Sequence, residues 1–176
     1  MFQEAKLLGP TERSIVVQTR KGTDLKNAIQ PAPGFQQRQF YRALLQRYGT
    51  RWEERKPATG LYNCAGHVWA SRRTALLDPT EWRMILDEDD YRRIRENETP
   101  SPGDLVLYID KADDEILHVG RVLELRPGVA PEAIRIPWVL SKWDAKSGEV
   151  MHFAHDVPYG TQGIAFEIEY WTDRAV

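Results

Sequence analysis

Residues 104–124, DLVLYIDKADDEILHVGRVLE, contain two apolar runs on either side of a short polar segment. The first run, residues 104–110, and the second, residues 116–124, are rich in the β-branched and aromatic residues that favour strands. Residues 111–115 between them are mostly acidic and suit a turn. The pattern therefore predicts a β-hairpin, with His118 in its second strand.

Strand-like sequence continues after this hairpin, and helix-like sequence precedes it. Residues 136–143 and 164–171 predict two more strands, while Pro100 and the Pro102-Gly103 pair mark the point where helical patterning ends. An earlier strand is predicted at residues 14–18. Helices first and an antiparallel sheet afterwards make an α+β fold.

Three helices are predicted before Pro100. The first, residues 35–48, would end at Gly49 and bury one face formed by Phe35, Phe40, Leu44 and Leu45. The second covers residues 64–77 and begins at Cys64. The third covers residues 81–96, with Asp78 as N-cap and Pro79 at its start, and its apolar side would consist of Trp82, Ile85, Leu86 and Ile94.

The composition is that of a soluble globular domain. The chain has 176 residues, of which 41% are hydrophobic and 28% charged, and no apolar run approaches the ~18 residues that span a bilayer. We expect a single domain over residues 1–176, made of an N-terminal extension (1–34), a helical half with Cys64 (35–99) and a sheet half with His118 (100–176).

No secretory signal is visible, so we expect a cytoplasmic protein, with export by a non-classical route left open.

Charge is unevenly distributed along the chain. Residues 1–75 carry 13 Lys and Arg against 5 Asp and Glu, and residues 76–176 carry 11 against 21, which gives +8 and −10 and sums to the net −2. A basic half can bind nucleic acid or an acidic partner. We favour the interpretation that the two halves meet in the fold and neutralise each other, and we expect neither a nucleic-acid nor a membrane partner.

Cys64 is the single cysteine and cannot form an intrachain disulfide. At a helix start, unpaired backbone N–H groups and the helix dipole favour a thiolate and lower the thiol pKa. Gly66 would leave room for a substrate backbone near the sulfur. The alternative is a buried cysteine that packs as a small hydrophobe.

His118 is the candidate partner of this thiol. A histidine on a strand can present its ring to a helix end, and a cysteine activated by a histidine is the arrangement that nucleophilic thiol catalysis needs. A histidine in a strand can equally be a satisfied core residue.

These segments resemble one family. Residues 62–68, YNCAGHV, resemble the DCSG-type nucleophile motif of NlpC-like, papain-fold cysteine peptidases and amidases, CHAP-like relatives included. Residues 102–106, PGDLV, followed by residues 118–122, HVGRV, resemble the hairpin of that superfamily, in the same order. The resemblance covers roughly residues 60–143. Asn63 and Ala65 depart from the usual residues around the cysteine, and His67 is an unusual neighbour.

The resemblance implies a papain-like fold and a thiol hydrolase that cleaves an amide bond of a peptide or peptidoglycan type. Cys64 would be the nucleophile, its backbone N–H part of the oxyanion hole, and His118 the general base. A polar residue on the following strand would orient the imidazole, for which Ser141 is favoured slightly over Asp144. The residues expected to contact substrate are Tyr62, Asn63, Trp143 and His152. No cofactor is expected, and the oligomeric state is left open.

Three other functions stay open at this point. The fold could be catalytically inactive and serve as a binding module, or the same Cys–His pair could transfer an acyl group to an acceptor other than water. A metal site is the third, because residues 151–156, MHFAHD, place two histidines three apart before an aspartate. That spacing is not the four-residue spacing of zinc peptidase helices, and we expect no metal.

Overall fold

The computed structural model describes residues 14–127 and 135–175. Its core is a seven-stranded antiparallel sheet in the order β2-β8-β7-β6-β5-β9-β4, with a separate two-stranded sheet of β1 and β3. The helices are α1 (Phe35–Tyr48), α2 (Cys64–Trp69) and α3 (Thr80–Glu88), with 3-10 turns at Gly49–Arg51 and Tyr159–Gln162; the strands are β1 (Asn27–Ala28), β2 (Trp52–Lys56), β3 (Ala75–Leu76), β4 (Arg92–Arg93), β5 (Leu105–Asp110), β6 (Ile116–Pro127), β7 (Arg135–Ser141), β8 (Glu149–Phe153) and β9 (Phe166–Thr172).

The predicted hairpin is confirmed as β5 and β6. Leu107 pairs with Val119 and Tyr108 with His118, and the register shifts by one residue at the end of β5. The α+β class is confirmed as well, since helices precede the sheet. No helix among the described residues is long and apolar enough to span a membrane.

The two faces of the sheet bury different sets of side chains. Leu105 and Leu107 face α2 and α3, where they join Val119 and the α3 residues Ile85 and Leu86 in one apolar cluster. On the opposite face, a second cluster contains Val106, Tyr108, Val122 and Val139. This division follows from strand alternation, and it decides where each site residue lies.

Three strands of the sheet were not predicted from the sequence, and one predicted strand is wrong. β2 is mostly charged and forms an edge of the sheet, β4 lies in the stretch predicted as the end of the third helix, and β8 contains the first part of the histidine run at residues 151–156. Residues 14–18 form no strand, and only Gln18 makes an isolated bridge, to Asp24. The few hydrogen bonds of this segment, such as that from the Leu25 N–H to the Val17 carbonyl at 2.9 Å, do not extend into a ladder.

The predicted bounds of α1 are confirmed, and its predicted buried face is right for Leu44 and Leu45, which pack against the core, but wrong for the two phenylalanines. Phe35 and Phe40 are 69% and 56% exposed, whereas Tyr41 and Tyr48 are buried. Tyr41 and Tyr48 are seven residues apart and therefore share a face. Burial on this helix follows the tyrosines because they meet the ring of Trp52 and the side chain of Val150.

The predicted second and third helices are shorter in the structure. α2 ends at Trp69 because Ser71 and Arg72 have φ angles of 51° and 65°, in the left-handed region. The remainder of the predicted helix becomes β3, which pairs with β1. α3 ends before Asp90, which has a φ of 58°, so that Ile94 lies outside the helix.

Candidate active site

Cys64 is the first residue of α2, as the sequence predicted. Asn63 is the N-cap: its Oδ1 accepts a hydrogen bond from the Gly66 N–H at 2.8 Å. The same side chain bonds both backbone groups of Leu76 in β3, at 2.7 and 3.1 Å. Asn63 therefore fixes the start of α2, and its predicted role in substrate binding stays a prediction.

The sulfur of Cys64 is buried against the main chain of β6. The side chain is in the apolar cluster that contains Val119, and the backbone N–H of Val119 hydrogen-bonds the sulfur. Lys142 and Tyr159 lie within electrostatic range of it. Burial outweighs these contacts and raises the pKa of Cys64 to about 11. The expectation of a lowered thiol pKa is therefore wrong for the resting protein.

His118 is 2% exposed and its ring stacks on Trp143, with ring centroids 4.0 Å apart. The Tyr108 ring lies 5.7 Å from it. Burial holds the imidazole pKa well below its usual value, and the neighbouring His152 and His67 add to that effect. The Nε2 atom of His118 is buried and has no hydrogen-bond partner among the described residues. His118 is therefore neutral at physiological pH.

Cys64 and His118 approach the same stretch of β6 from different sides. The Val119 side chain shares the cluster with Cys64, whereas the ring of His118, the preceding residue, lies with Tyr108 and Trp143. Cys64 thus packs against the residue that directly follows His118 in β6. Direct contact between the sulfur and the imidazole stays a prediction.

The two candidates for the third catalytic group differ in their surroundings. Ser141 is fully buried, and its Oγ has no hydrogen-bond partner among the described residues. It lies against Gly120, where an added Cβ would come within 2.8 Å of the Oγ. Asp144 accepts a hydrogen bond from the Lys146 N–H at 2.6 Å and so shapes the turn after β7. These surroundings favour Ser141, although the role itself stays a prediction.

Three of the residues expected to contact substrate lie largely inside the protein. The Tyr62 hydroxyl donates to Glu149 at 2.6 Å, in the interior. The Nδ1 atom of His152 lies 2.7 Å from the Phe153 carbonyl oxygen, so this nitrogen carries the proton. Trp143 lies between the rings of His118 and His152. A substrate role for these side chains stays a prediction.

Gly66 has a different role from the one expected. A Cβ at this position would lie 1.8 Å from the Thr74 carbonyl oxygen. The space beside the glycine is therefore filled by the protein's own backbone, and the idea that it admits a substrate backbone is wrong.

A buried charged network next to α2 was missed in the sequence. Glu149 is fully buried, and its carboxylate accepts hydrogen bonds from Tyr62 and from Arg72 Nε, the latter at 2.5 Å. Arg72 also lies 3.0 Å from the Nε2 of His67. Arginine only donates, so that nitrogen accepts and the proton is on Nδ1. His67 consequently has no nitrogen available as a base, which leaves His118 as the better candidate.

One signal in the sequence could have identified this network. Glu149 and Lys142 are charged residues inside otherwise apolar segments, and charged side chains are almost never fully buried unless they are paired. Their partners could not be found this way, because Arg72 is 77 residues from Glu149 along the chain and Thr59 is 83 residues from Lys142.

The histidine run of β8 forms no metal site. His152 is buried in the sheet and His155 is exposed beyond its end, so the two do not converge. Among the described residues, no group of three or more His, Cys, Asp or Glu side chains is placed to hold a metal ion.

Comparison with known proteins adds no relative to this description. No protein-family model, no curated protein and no solved structure matches the chain. The functional argument therefore depends on the geometry around Cys64 and His118.

Proposed function

We propose that the protein is a thiol hydrolase that cleaves an amide bond of a peptide or peptidoglycan type, with Cys64 as nucleophile and His118 as general base in a papain-like fold. The observation that carries this proposal is the position of Cys64. It lies at the N-terminus of α2 and packs in one cluster with Val119, the residue next to His118 on β6. The order of cysteine helix, strand and histidine strand is the order expected from the resemblance.

The protonation states support a general-base mechanism. The thiol and the imidazole are both neutral at rest, because burial raises the pKa of the Cys64 thiol and lowers the pKa of the His118 imidazole. His118 then takes the thiol proton as the sulfur attacks the carbonyl carbon, and the carbonyl oxygen becomes an oxyanion near the Cys64 N–H. The imidazolium returns the proton to the leaving amine, and the C–N bond breaks to give a thioester. Water, deprotonated by His118, hydrolyses the thioester and restores the thiol.

The test uses p-nitrophenyl acetate as acyl donor and measures acetylation of the single cysteine by intact mass, between pH 5.5 and 9. If His118 acts as base, the rate is nearly independent of pH from neutral pH upward, because the lowered pKa of His118 keeps the imidazole neutral there. His118→Ala should slow acetylation by about 100-fold, the lower limit for general-base catalysis. Cys64→Ser is the matched control that should lose the acetyl-thioester.

The opposite pattern would contradict the proposal. A rate that rises tenfold per pH unit and is equal in wild type and His118→Ala would show reaction of an isolated thiol.

Hydrolase and acyltransferase share every step up to the thioester and differ in the acceptor. Adding a primary amine during turnover separates them, since only a transferase would form the new amide in preference to the acid.

A catalytically inactive binding module is the second candidate, and one observation favours it. Cys64 is 8% exposed and its pKa is raised, as for a buried thiol without catalytic function. This candidate expects no acetylation of Cys64 in the folded protein, in wild type or in His118→Ala.

A further inference from the structure

Lys142 carries a fully enclosed amine. It directly follows β7, and its residue exposure is 0%. Its ammonium nitrogen lies within hydrogen-bond distance of four backbone carbonyl oxygens: Thr59 at 3.0 Å, Asp144 at 3.0 Å, Ala145 at 3.1 Å and Ser147 at 2.7 Å.

These contacts make the ammonium group resemble a bound structural cation. Carbonyl oxygens only accept hydrogen bonds, so a cluster of them favours the charged amine, whereas burial lowers the pKa of Lys142. Three of the oxygens belong to the connection between β7 and β8. The fourth belongs to Thr59, whose backbone N–H also donates to the Ser147 carbonyl at 3.1 Å. Lys142 thus joins that connection to the segment that leads into α2.

The same ammonium group faces the start of α2. Its nitrogen lies 5.3 Å from the centroid of the Tyr62 ring, and Tyr62 is two residues before Cys64. The positive charge of Lys142 favours the thiolate form of Cys64, and the effect is mutual. Geometry and charge therefore both relate Lys142 to the sulfur.

We propose that Lys142 is the positioning residue of Cys64: its ammonium group holds residues 59–63 against the β7–β8 connection and directs a positive charge toward the sulfur. This inference depends on the proposed function for its catalytic meaning, because a thiolate matters only if Cys64 reacts. It gives the site a built-in cation in addition to the cysteine and the histidine. The group acts through the position and charge state of Cys64 and does not contact substrate.

The experiment compares Lys142→Met with wild type and with Lys146→Met as the matched control. Lys146 is also in the β7–β8 connection, but its amine reaches only the Pro31 carbonyl oxygen at the surface. The readout is the pH dependence of Cys64 alkylation by iodoacetamide, with circular dichroism to verify folding. Because the pKa of Lys142 is lowered to about 8, wild type and Lys142→Met should react equally fast above about pH 9, where the amine is neutral. At pH 7 the amine is charged, and Lys142→Met should lose about tenfold in thiolate and therefore in alkylation rate. Lys146→Met should leave it unchanged.

A purely structural role would give a different result. Alkylation that changes by the same factor at every pH, with the thiol pKa of wild type, would show only altered access to the sulfur and would overturn the proposal.

A second measurement applies if Lys142→Met does not fold. The pH profile of wild-type Cys64 alkylation then carries the test. The proposal expects the rate to rise by only about 20-fold between pH 7 and pH 9, because Lys142 loses its charge in this interval, its pKa being lowered to about 8. A rise of about 100-fold, as for a thiol without a neighbouring cation, would overturn it. A negative result in either of these experiments would refute the role of Lys142 alone. The proposed function is tested separately, by the effect of His118→Ala on acetylation.

Discussion

At Gly66, the absence of a side chain allows α2 to pack closely against the backbone of Thr74. Gly66 lies inside α2, where alanine would normally be more stable than glycine by about 1 kcal/mol. At this position, however, a Cβ would come within 1.8 Å of the Thr74 carbonyl oxygen, which is backbone and cannot rotate away. The free-energy cost of this clash is larger than the gain from the better helix propensity of alanine.

We therefore expect Gly66→Ala to destabilise the protein by about 2–3 kcal/mol, the upper range for overpacking. Urea unfolding followed by circular dichroism measures this change. A more stable variant, as helix propensity alone predicts, would show that α2 and β3 can move apart without cost.

Cys64 is the residue for which local reasoning and tertiary structure disagree most. The helix start and the N–H of Val119 lower the thiol pKa, but enclosure by the cluster of Leu107 and Val119 raises it more. A sequence shows that a cysteine is at a helix start, but not how much solvent the rest of the chain removes from it. The residue was predictable as a candidate, and its charge state was not.

At the scale of elements, the segment after α2 is held to β8 by Glu149. Burial disfavours the carboxylate, but hydrogen bonds from Arg72 and Tyr62 outweigh it and lower the Glu149 pKa. A carboxyl group with a lowered pKa in the folded state adds stability above its unfolded pKa of about 4.3. That stability is lost as the pH falls through the folded value.

Glu149→Gln should thus be less stable than wild type at pH 7 by about 2–3 kcal/mol. This loss is somewhat smaller than the loss expected on breaking a fully buried ion pair, because Arg72 is partly exposed. The difference should shrink between pH 5 and pH 3. Urea midpoints across this range measure it.

Glu53→Gln is the matched control for this prediction, because Glu53 pairs with Arg126 at 3.3 Å on the surface. Its effect should stay below about 1 kcal/mol at every pH. A Glu149→Gln difference that is constant with pH would mean that the carboxylate is not the stabilising form.

Elements with strong local patterns were predictable, and elements that depend on a partner were not. The β5–β6 hairpin and α1 follow from alternation and helical spacing within one segment. β2 consists mainly of charged residues and is a strand only because β8 offers it backbone hydrogen bonds. α2 ends early because Arg72 must turn back to reach Glu149, which no local pattern indicates.

At the scale of the whole molecule, a column of rings connects α1 to the candidate base. Tyr48 stacks on Trp52 with centroids 4.1 Å apart, Trp52 lies 6.1 Å from Trp143, and Trp143 stacks on His118 at 4.0 Å. The column crosses from the first helix through the sheet edge to β6. The orientation of the His118 ring thus depends on packing far from Cys64.

Trp52→Ala should destabilise the protein by about 3–5 kcal/mol, as expected for a buried tryptophan. It should also slow Cys64 acetylation, because the column that holds the His118 ring is interrupted. Phe35→Ala is the matched control: this aromatic side chain is exposed, and its loss should change stability by less than about 0.5 kcal/mol. Equal effects of the two variants would contradict the observed burial of Trp52 and exposure of Phe35.

The charge imbalance between the two halves of the chain is partly resolved by the fold. Basic residues of the first half pair with acidic residues of the second: Arg20 with Asp173, Arg51 with Asp156 and Arg72 with Glu149. These pairs agree with the interpretation that the halves meet and neutralise each other.

The sequence by itself determined the α+β class, the central hairpin, the bounds of α1, and Cys64 and His118 as candidates on a helix start and a strand. These features depend on neighbours within a few residues along the chain, where the spacing and type of the residues determine the local structure. Only the tertiary structure decided which aromatic residues of α1 are buried, that β2, β4 and β8 are strands, and that the thiol is protonated. It also enclosed Lys142 and Glu149, because burial and charge pairing depend on segments that are distant in the chain and meet only on folding.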